Sequence, residues 1–285
     1  MTAKSNSVTK KTILVIGASG KTGRRVMQRL RVADHPVKAA SRSGETRFDW
    51  NDRETWNDAI KGVDAAYLTF YPDLSFPGAA EIVEDFAKLA VSKGLKRLVL
   101  LSGRGEAGAQ DAEKRIERSG AAWTVVRCSV FNQNFSEAFT DSIRAGHLSM
   151  PVANSKEPFV DTEDIADVVF ASLTDDKHIG KLYELTGPRV MDLEEVVTEL
   201  SDAIGREILF HSVSIEEYAK ELIRHGYPEE ESRPIAELIA DVFDGRNAYV
   251  VDGVMQALGR PARDFSDYAK EAAASGVWDR EEVMS

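Results

Sequence analysis

Gly17, Gly20 and Gly23 stand three apart in the segment Gly17-Ala18-Ser19-Gly20-Lys21-Thr22-Gly23. The chemistry open to this spacing is the cradling of a phosphate. Gly17 permits a tight turn, Gly20 lets backbone approach a pyrophosphate, and Gly23 lets a helix pack closely on a strand. A helix opening here would turn free N–H groups and the positive end of its dipole toward the phosphates. An ordinary glycine-rich turn has the same composition, so the flanks decide. Before the loop, Thr12–Ile16 (TILVI) is the mostly apolar run of a strand buried on both faces. After it, from about Thr22, Val26 and Leu30 lie four apart on one helix face. Strand, glycine loop and helix in this order predict a dinucleotide site holding Gly17, Ser19, Gly20, Lys21, Thr22 and Gly23.

The choice of dinucleotide is read at the end of the second strand. An NAD-specific site places Asp or Glu there for the ribose 2′-hydroxyl. This chain has Ala40-Ser41-Arg42-Ser43, with no carboxylate. Ser41 and Arg42 join the expected site, Arg42 as partner of a 2′-phosphate, which favours NADP(H). The bland reading of Arg42 is a solvated surface arginine. Asp49 and Trp50 end the expected third strand, where an aspartate can reach the adenine amino group and Trp50 is either a neighbour of the base or a core aromatic.

Four further stretches fall at strand ends. Thr69, Phe70, Tyr71 and Pro72 close strand four and would lie along the nicotinamide ribose. Tyr71 is a candidate proton donor or an aromatic wall. Ser102, followed by Gly103, closes strand five at the edge where such sheets bind ligands; it is either a candidate catalytic hydroxyl or a turn serine. Cys128 and Phe131 complete the expected cofactor contacts after strand six. With no His or Asp partner nearby in sequence, Cys128 reads as a small packing residue rather than a nucleophile. Phe131, Asn132 and Asn134 are the expected substrate contacts, although these amides also suit a helix cap. His35, His147, His178, His211 and His225 show no metal-ligand spacing, so no metal is expected; His35 and His178 adjoin turn residues and are expected to be solvated.

The elements that would position these residues alternate. Strands are expected at Thr12–Ile16, Val37–Ala40, before Asp49, at Asp64–Phe70, Arg97–Leu101 and Trp123–Arg127. Helices fall between them, one capped by Asp52 and carrying Trp56 and Ile60, another from Ala79 burying Ile82, Val83, Phe86 and Leu89, and a third over Ala109–Ser119. This alternation implies an α/β fold, a Rossmann-type doubly wound parallel sheet with right-handed crossovers. After residue 130 the alternation weakens to a late strand at Leu182–Leu185 and a mostly helical remainder, with capping boxes at Asp192/Glu195 and Ser214/Glu217. The expected domains are a tail over 1–11, a dinucleotide domain over 12–130 completed by about 158–187, and a smaller, mainly helical substrate part over 131–157 and 188–285.

Composition narrows the function classes. The chain has 285 residues, 36 basic against 47 acidic, a net charge of −11. That balance opposes nucleic-acid or anionic-membrane partners. No apolar run of about 18 residues is present, MTAKSNSVTKK reads as a disordered tail rather than a signal peptide, and a single cysteine excludes an internal disulfide. A cytoplasmic protein with a small-molecule substrate is expected; a homodimer is compatible with the sequence.

The loop GASGKTGRRV, the strand end LVLLSG and the stretch RIERSGAAWTVVRCSVFNQNF resemble the NmrA-like atypical short-chain dehydrogenase/reductases over almost the whole chain. RFDWNDRETW and FSDYAKEAAASGVW are similar to the ergot-alkaloid festuclavine/agroclavine dehydrogenase group. The resemblance implies a Rossmann domain, a smaller C-terminal substrate domain and NADP(H) in the cleft between them. Three departures matter. The Tyr-x-x-x-Lys of short-chain dehydrogenases is missing, since no tyrosine follows Ser102 until Tyr183. The active lysine of isoflavone-reductase-like relatives would fall near Ala109–Asp111, so Lys114 is not its equivalent. The usual Arg-Pro after strand six is Arg127-Cys128. The expectation is an NADP(H)-dependent oxidoreductase passing hydride to a pre-activated electrophile (iminium, quinone or similar) held by Phe70, Tyr71 and Phe131. The alternative is a non-catalytic redox sensor that binds the dinucleotide and regulates a partner protein.

Overall fold

The computed structural model describes residues 10–152 and 155–280. The chain divides into two compact units. The first comprises residues 1–103, 107–126 and 165–183; the second comprises 104–106, 127–164 and 184–285.

The first unit alternates as the apolar pattern requires: β1 (Ile13–Ile16), α1 (Lys21–Val32), β2 (Val37–Ser41), β3 (Thr46–Arg47), α2 (Glu54–Ile60), β4 (Ala65–Leu68), α3 (Ala79–Ser92), β5 (Arg97–Gly103), α4 (Ala107–Glu117) and β6 (Ala122–Cys128). The chain continues through α5 (Asn134–Glu137), α6 (Thr140–Ala145), β7 (His147–Met150), α7 (Thr162–Thr174) and β8 (Lys181–Leu185). Seven strands form one sheet in the order β3-β2-β1-β4-β5-β6-β8. β1 pairs in parallel with β2 and β4, and β2 with β3 and β4 with β5 do the same. The strand order reverses between β1 and β4, and ligands of such sheets bind beyond the carboxyl ends at that switch point. β1 and β4 are buried at every position, which explains their unbroken apolar sequences. Phe48, Trp50, Trp56 and Phe86 form an aromatic core beneath α2 and α3, with ring centroids 4.9–6.4 Å apart.

The second unit adds α8 (Leu193–Ile204), β9 (Leu209–Ser212), α9 (Ile215–Arg224), α10 (Glu229–Val242), α11 (Gly253–Leu258) and α12 (Phe265–Ala274). Both expected capping boxes are present, at Asp192/Glu195 and Ser214/Glu217. β7 and β9 pair in parallel, His147 opposite Leu209. This small sheet departs from the helical expectation: its four-residue strands mix polar and apolar residues and meet across about 60 residues of sequence, so no local period announces them.

Other differences are local. Strand three is Thr46–Arg47, so Asp49 and Trp50 follow it rather than end it. α2 starts at Glu54, and Asp52 accepts from the Glu54 N–H at 3.2 Å from one residue further out than a cap. Ile82 and Leu89 are half-buried. His178 is wholly buried rather than solvated: its Nδ1 lies 2.8 Å from the Tyr183 hydroxyl, and its carbonyl accepts from Thr124. His35 is half-buried, edge-on to Phe170. Of the expected tail, residues 1–9 lie outside the described residues. Lys10 and Lys11 are tied down, Lys10 Nζ donating to Ala33 O at 2.6 Å and Lys11 pairing with Asp176 at 3.5 Å. Among the described residues no helix is long and apolar enough to cross a membrane.

Candidate cofactor-binding site

The glycine loop lies at the switch point of the first unit. Gly17 and Ala18 both donate to Ala40 O, at 3.0 and 3.2 Å, which turns the chain sharply off β1. Gly17 has φ +72°, and a Cβ there would stand 2.2 Å from Thr69 Oγ1. That oxygen itself donates to Ile16 O at 3.0 Å, tying the end of β1 to the end of β4. A Cβ on Gly23 would stand 2.1 Å from Gly17 O, so only glycine lets α1 pack this closely on the loop. Gly20 differs: its φ is −74°, and a Cβ would meet only Gly17 O, at 3.2 Å.

Gly20 is the N-cap of α1 and brings no side-chain cap, and the first turn holds no acidic residue. The positive end of the helix therefore carries no local carboxylate, the condition for an anion there. Thr22 is buried and its Oγ1 accepts from the Tyr67 hydroxyl at 2.9 Å, pinning the first turn of α1 to β4. At the end of β2, Arg42 is exposed and lies over the Tyr71 ring, 4.6 Å from its centroid, and makes no ion pair among the described residues. This fits a dinucleotide carrying an extra phosphate: an open loop, an uncompensated helix end and an arginine held in place by an aromatic ring.

The remaining expected residues separate into those at the surface of this site and those inside the protein. Ser41 is half-buried and its carbonyl accepts from Phe48 N at 3.0 Å. Asp49 is half-buried and its side chain accepts from Asn51 N at 3.0 Å. Trp50 is a core aromatic, 6 % exposed, its indole N–H donated to Thr69 O at 2.8 Å. Phe70 leans on Trp50, ring centroids 5.2 Å apart, and remains half-exposed. Tyr71 is 53 % exposed.

Ser102 is buried, and its hydroxyl donates to Glu113 Oε1 at 2.5 Å. Glu113 was not anticipated. It falls on the buried stripe of α4 with Ala109, Ala112 and Ile116, a phase that a helical wheel would have exposed, while Lys114 beside it faces solvent.

In the second unit Cys128 is buried, and burial raises its thiol pKa well above the usual cysteine range, which makes it an inert packing residue. Phe131 bridges to Val160 and is half-buried. Asn134 opens α5, also half-buried. Asn132 donates its N–H to Val160 O, yet its wholly buried amide side chain has no partner among the described residues. Both Glu157 oxygens and the Ser129 hydroxyl are in the same condition. Burial pushes the Glu157 carboxyl up to about 7, opposed by the charge of Arg104 and by the nearby Ser129 hydroxyl. Arg104 is itself buried, donating to Glu184 at 2.7 Å and to Asn247 O at 2.8 Å beneath the Tyr249 ring. No local pattern marks Glu157, whose neighbours in space are far away in sequence.

A glycine loop at the switch point of a doubly wound sheet, with a helix end open to phosphates, defines a dinucleotide-binding oxidoreductase fold. Residues 17–176 match the NAD(P)H-binding family and residues 109–269 the NmrA-like family. The chain belongs to the NmrA-like family, and its residues 17–176 carry an NAD(P)H-binding domain. It is 30% identical to the NAD(P)H azoreductase of Xenophilus azovorans, over 92% of this chain and 98% of that one. It is 27% identical to the prestalk A differentiation protein A of Dictyostelium discoideum (92% and 93%) and 29% identical to the agroclavine dehydrogenase of Claviceps fusiformis (94% and 98%). In fold it resembles the Citrobacter sp. triphenylmethane reductase complexed with NADP(H), TM-score 0.77 at 20% identity over 92% and 99% of the two chains. It also resembles NmrA, a negative transcriptional regulator, in complex with NAD, TM-score 0.70 at 18% identity over 94% and 98%.

Proposed function

We propose that this chain is an NADPH-dependent reductase of small, flat, pre-activated electrophiles such as iminium ions or quinones, working without a protein acid of the Tyr-x-x-x-Lys kind. The bound dinucleotide would supply hydride. Gly17, Ser19, Gly20, Thr22 and Gly23 would hold its pyrophosphate, and Arg42 its 2′-phosphate. Phe70 and Tyr71 would wall the site and exclude water.

The observation that carries the reading is the Ser102–Glu113 bond. The strand-five serine donates its hydroxyl hydrogen bond to the buried Glu113 side chain at 2.5 Å and so is not turned to a substrate. The first unit has three tyrosines. Tyr67 is wholly buried and bonded to Thr22, and Tyr183 is buried against His178, which leaves Tyr71 as the exposed phenol. Reduction of a plain ketone builds alkoxide charge that a positioned acid normally meets, an effect worth about 10²–10⁴-fold. An iminium or quinone carries its own activation and needs positioning above all. The relatives named as an azoreductase and an agroclavine dehydrogenase agree with such a substrate class.

The missing Tyr-x-x-x-Lys also supports a second reading, a dinucleotide sensor that regulates a partner protein, which the fold likeness to a transcriptional regulator favours. NADPH oxidation screened against quinones, enones, imines and azo dyes, with NADH as control, separates the two. Turnover of a pre-activated acceptor with NADPH preferred supports the reductase. No turnover with any acceptor, alongside tight dinucleotide binding, supports the sensor.

A further inference from the structure

The second unit contains a cavity of about 380 Å³ between α5–α6 and the helix pair α9–α10, within the size range of small-ligand sites. Three aromatic rings line it: Phe139, Tyr218 and Tyr227. Tyr218 is 5 % exposed, and its hydroxyl makes no hydrogen bond among the described residues. A buried phenol normally finds a partner. The position of Tyr218 in the cavity wall makes a ligand the natural one. Tyr227 and Glu221 lie close enough to raise the Tyr218 pKa further above the level that burial sets.

The ionisable residues of the wall are Glu221, Asp141, His225 and the two tyrosines. Glu221 and Asp141 contribute carboxylates, and no lysine or arginine is among the lining residues. Asp141 is largely exposed and faces Arg144 at 3.6 Å, so its field is mostly screened. Glu221 is 27 % exposed, and the His225 ring on the same wall approaches it, Nε2 to Oε1 3.8 Å. A carboxylate at the edge of an aromatic box attracts a delocalised cation twice, through its own charge and through the faces of the rings.

We propose that this cavity binds a flat aromatic cation, with Tyr218 and Tyr227 as its aromatic faces and Glu221 as its counter-charge. All of these residues belong to the second unit, and binding there does not depend on whether the chain turns over any substrate.

The test is equilibrium fluorescence titration of the full chain, without dinucleotide, using N-methylacridinium and, at pH 8, neutral acridine of nearly the same size and shape. The cation is expected to bind about tenfold more tightly. Glu221→Gln should reduce that preference to about threefold or less while leaving acridine affinity unchanged. Tyr227→Ala, a change at an exposed position, should keep the wild-type thermal midpoint within a few degrees and weaken the cation several-fold, and Tyr218→Leu should weaken it more. Equal affinity for the two probes, an unchanged preference in Glu221→Gln, or no binding of either probe would overturn the proposal. Since cofactor is omitted, a failure of the reductase reading leaves this result untouched, and the reverse also holds.

Discussion

Two loops that follow strands of the large sheet are built on opposite principles. After β1 the chain makes a ligand surface by removing side chains. Gly17 and Gly23 leave room for Thr69 Oγ1 and the Gly17 carbonyl, and a Cβ on Gly20 would meet only Gly17 O. After β6 the chain buries polar side chains instead. Ser129 and Asn132 of this loop, and Glu157, which comes to lie beside Ser129 from beyond β7, are each at most 3 % exposed, with side-chain oxygens unpartnered among the described residues. The first loop is organised by backbone geometry, through the Gly17 and Ala18 N–H groups and the close approach of Gly23 to Gly17 O. The second concentrates desolvated polar groups, where each unpartnered atom is destabilising by about 1–3 kcal/mol, a burden found where specificity or chemistry requires it.

The largest expected effect lies in the first loop. Gly23→Ala drives a Cβ against backbone, not against a flexible side chain, and should destabilise the protein by about 3 kcal/mol as well as abolish dinucleotide binding. Gly20→Val should leave the thermal midpoint within a few degrees yet weaken NADPH at least about a hundredfold, because its side chain points into phosphate space. Fluorescence titration beside calorimetry checks both. If Gly20→Val binds NADPH normally, the glycines serve folding alone and the contrast between the loops disappears.

Next comes Arg42→Ala. A charge-assisted contact to the 2′-phosphate corresponds to about ten- to more than a hundredfold in NADPH affinity, with NADH almost unchanged. Equal loss for both cofactors, or wild-type preference for NADH, would reduce Arg42 to a surface residue stacked on Tyr71.

The difference in design also explains what could be read from the sequence. A glycine loop is local: its spacing, the TILVI strand before it and the helix after it sit within about twenty residues, so both the fold and the candidate cofactor loop were legible. Glu113 was half legible, since its phase on α4 points inward but its partner Ser102 is known only once β5 and α4 pack. Glu157 and Arg104 meet across more than fifty residues, and the Thr69 carbonyl that takes the Trp50 N–H is nineteen residues away in sequence. The β7–β9 sheet was illegible for the same reason, as its strands are too short for a period and find each other only in the folded chain.

A smaller and pH-dependent effect sharpens the second loop. The Glu157 pKa is raised by burial from 4.5 to about 7. Between about pH 4.5 and 7 the unfolded chain releases a proton that the folded chain keeps, so this residue's contribution to stability falls as pH rises and levels off above about 7. Glu157→Gln keeps the shape and removes the titration. The variant should match wild type near pH 4 and exceed it by about 1–3 kcal/mol at pH 8, measured by urea unfolding. A difference that does not change with pH would mean that Glu157 is charged in the fold and compensated by Arg104.

Under the reductase proposal hydride transfer needs no proton from Ser102 or Tyr71, and the steady-state kcat of two variants measures this. With an iminium or quinone acceptor and saturating NADPH, Ser102→Ala and Tyr71→Phe are each predicted to lower kcat by less than about tenfold, while wild type reduces simple ketones slowly. A loss of about a thousandfold in either variant, or brisk reduction of simple ketones by wild type, would contradict it.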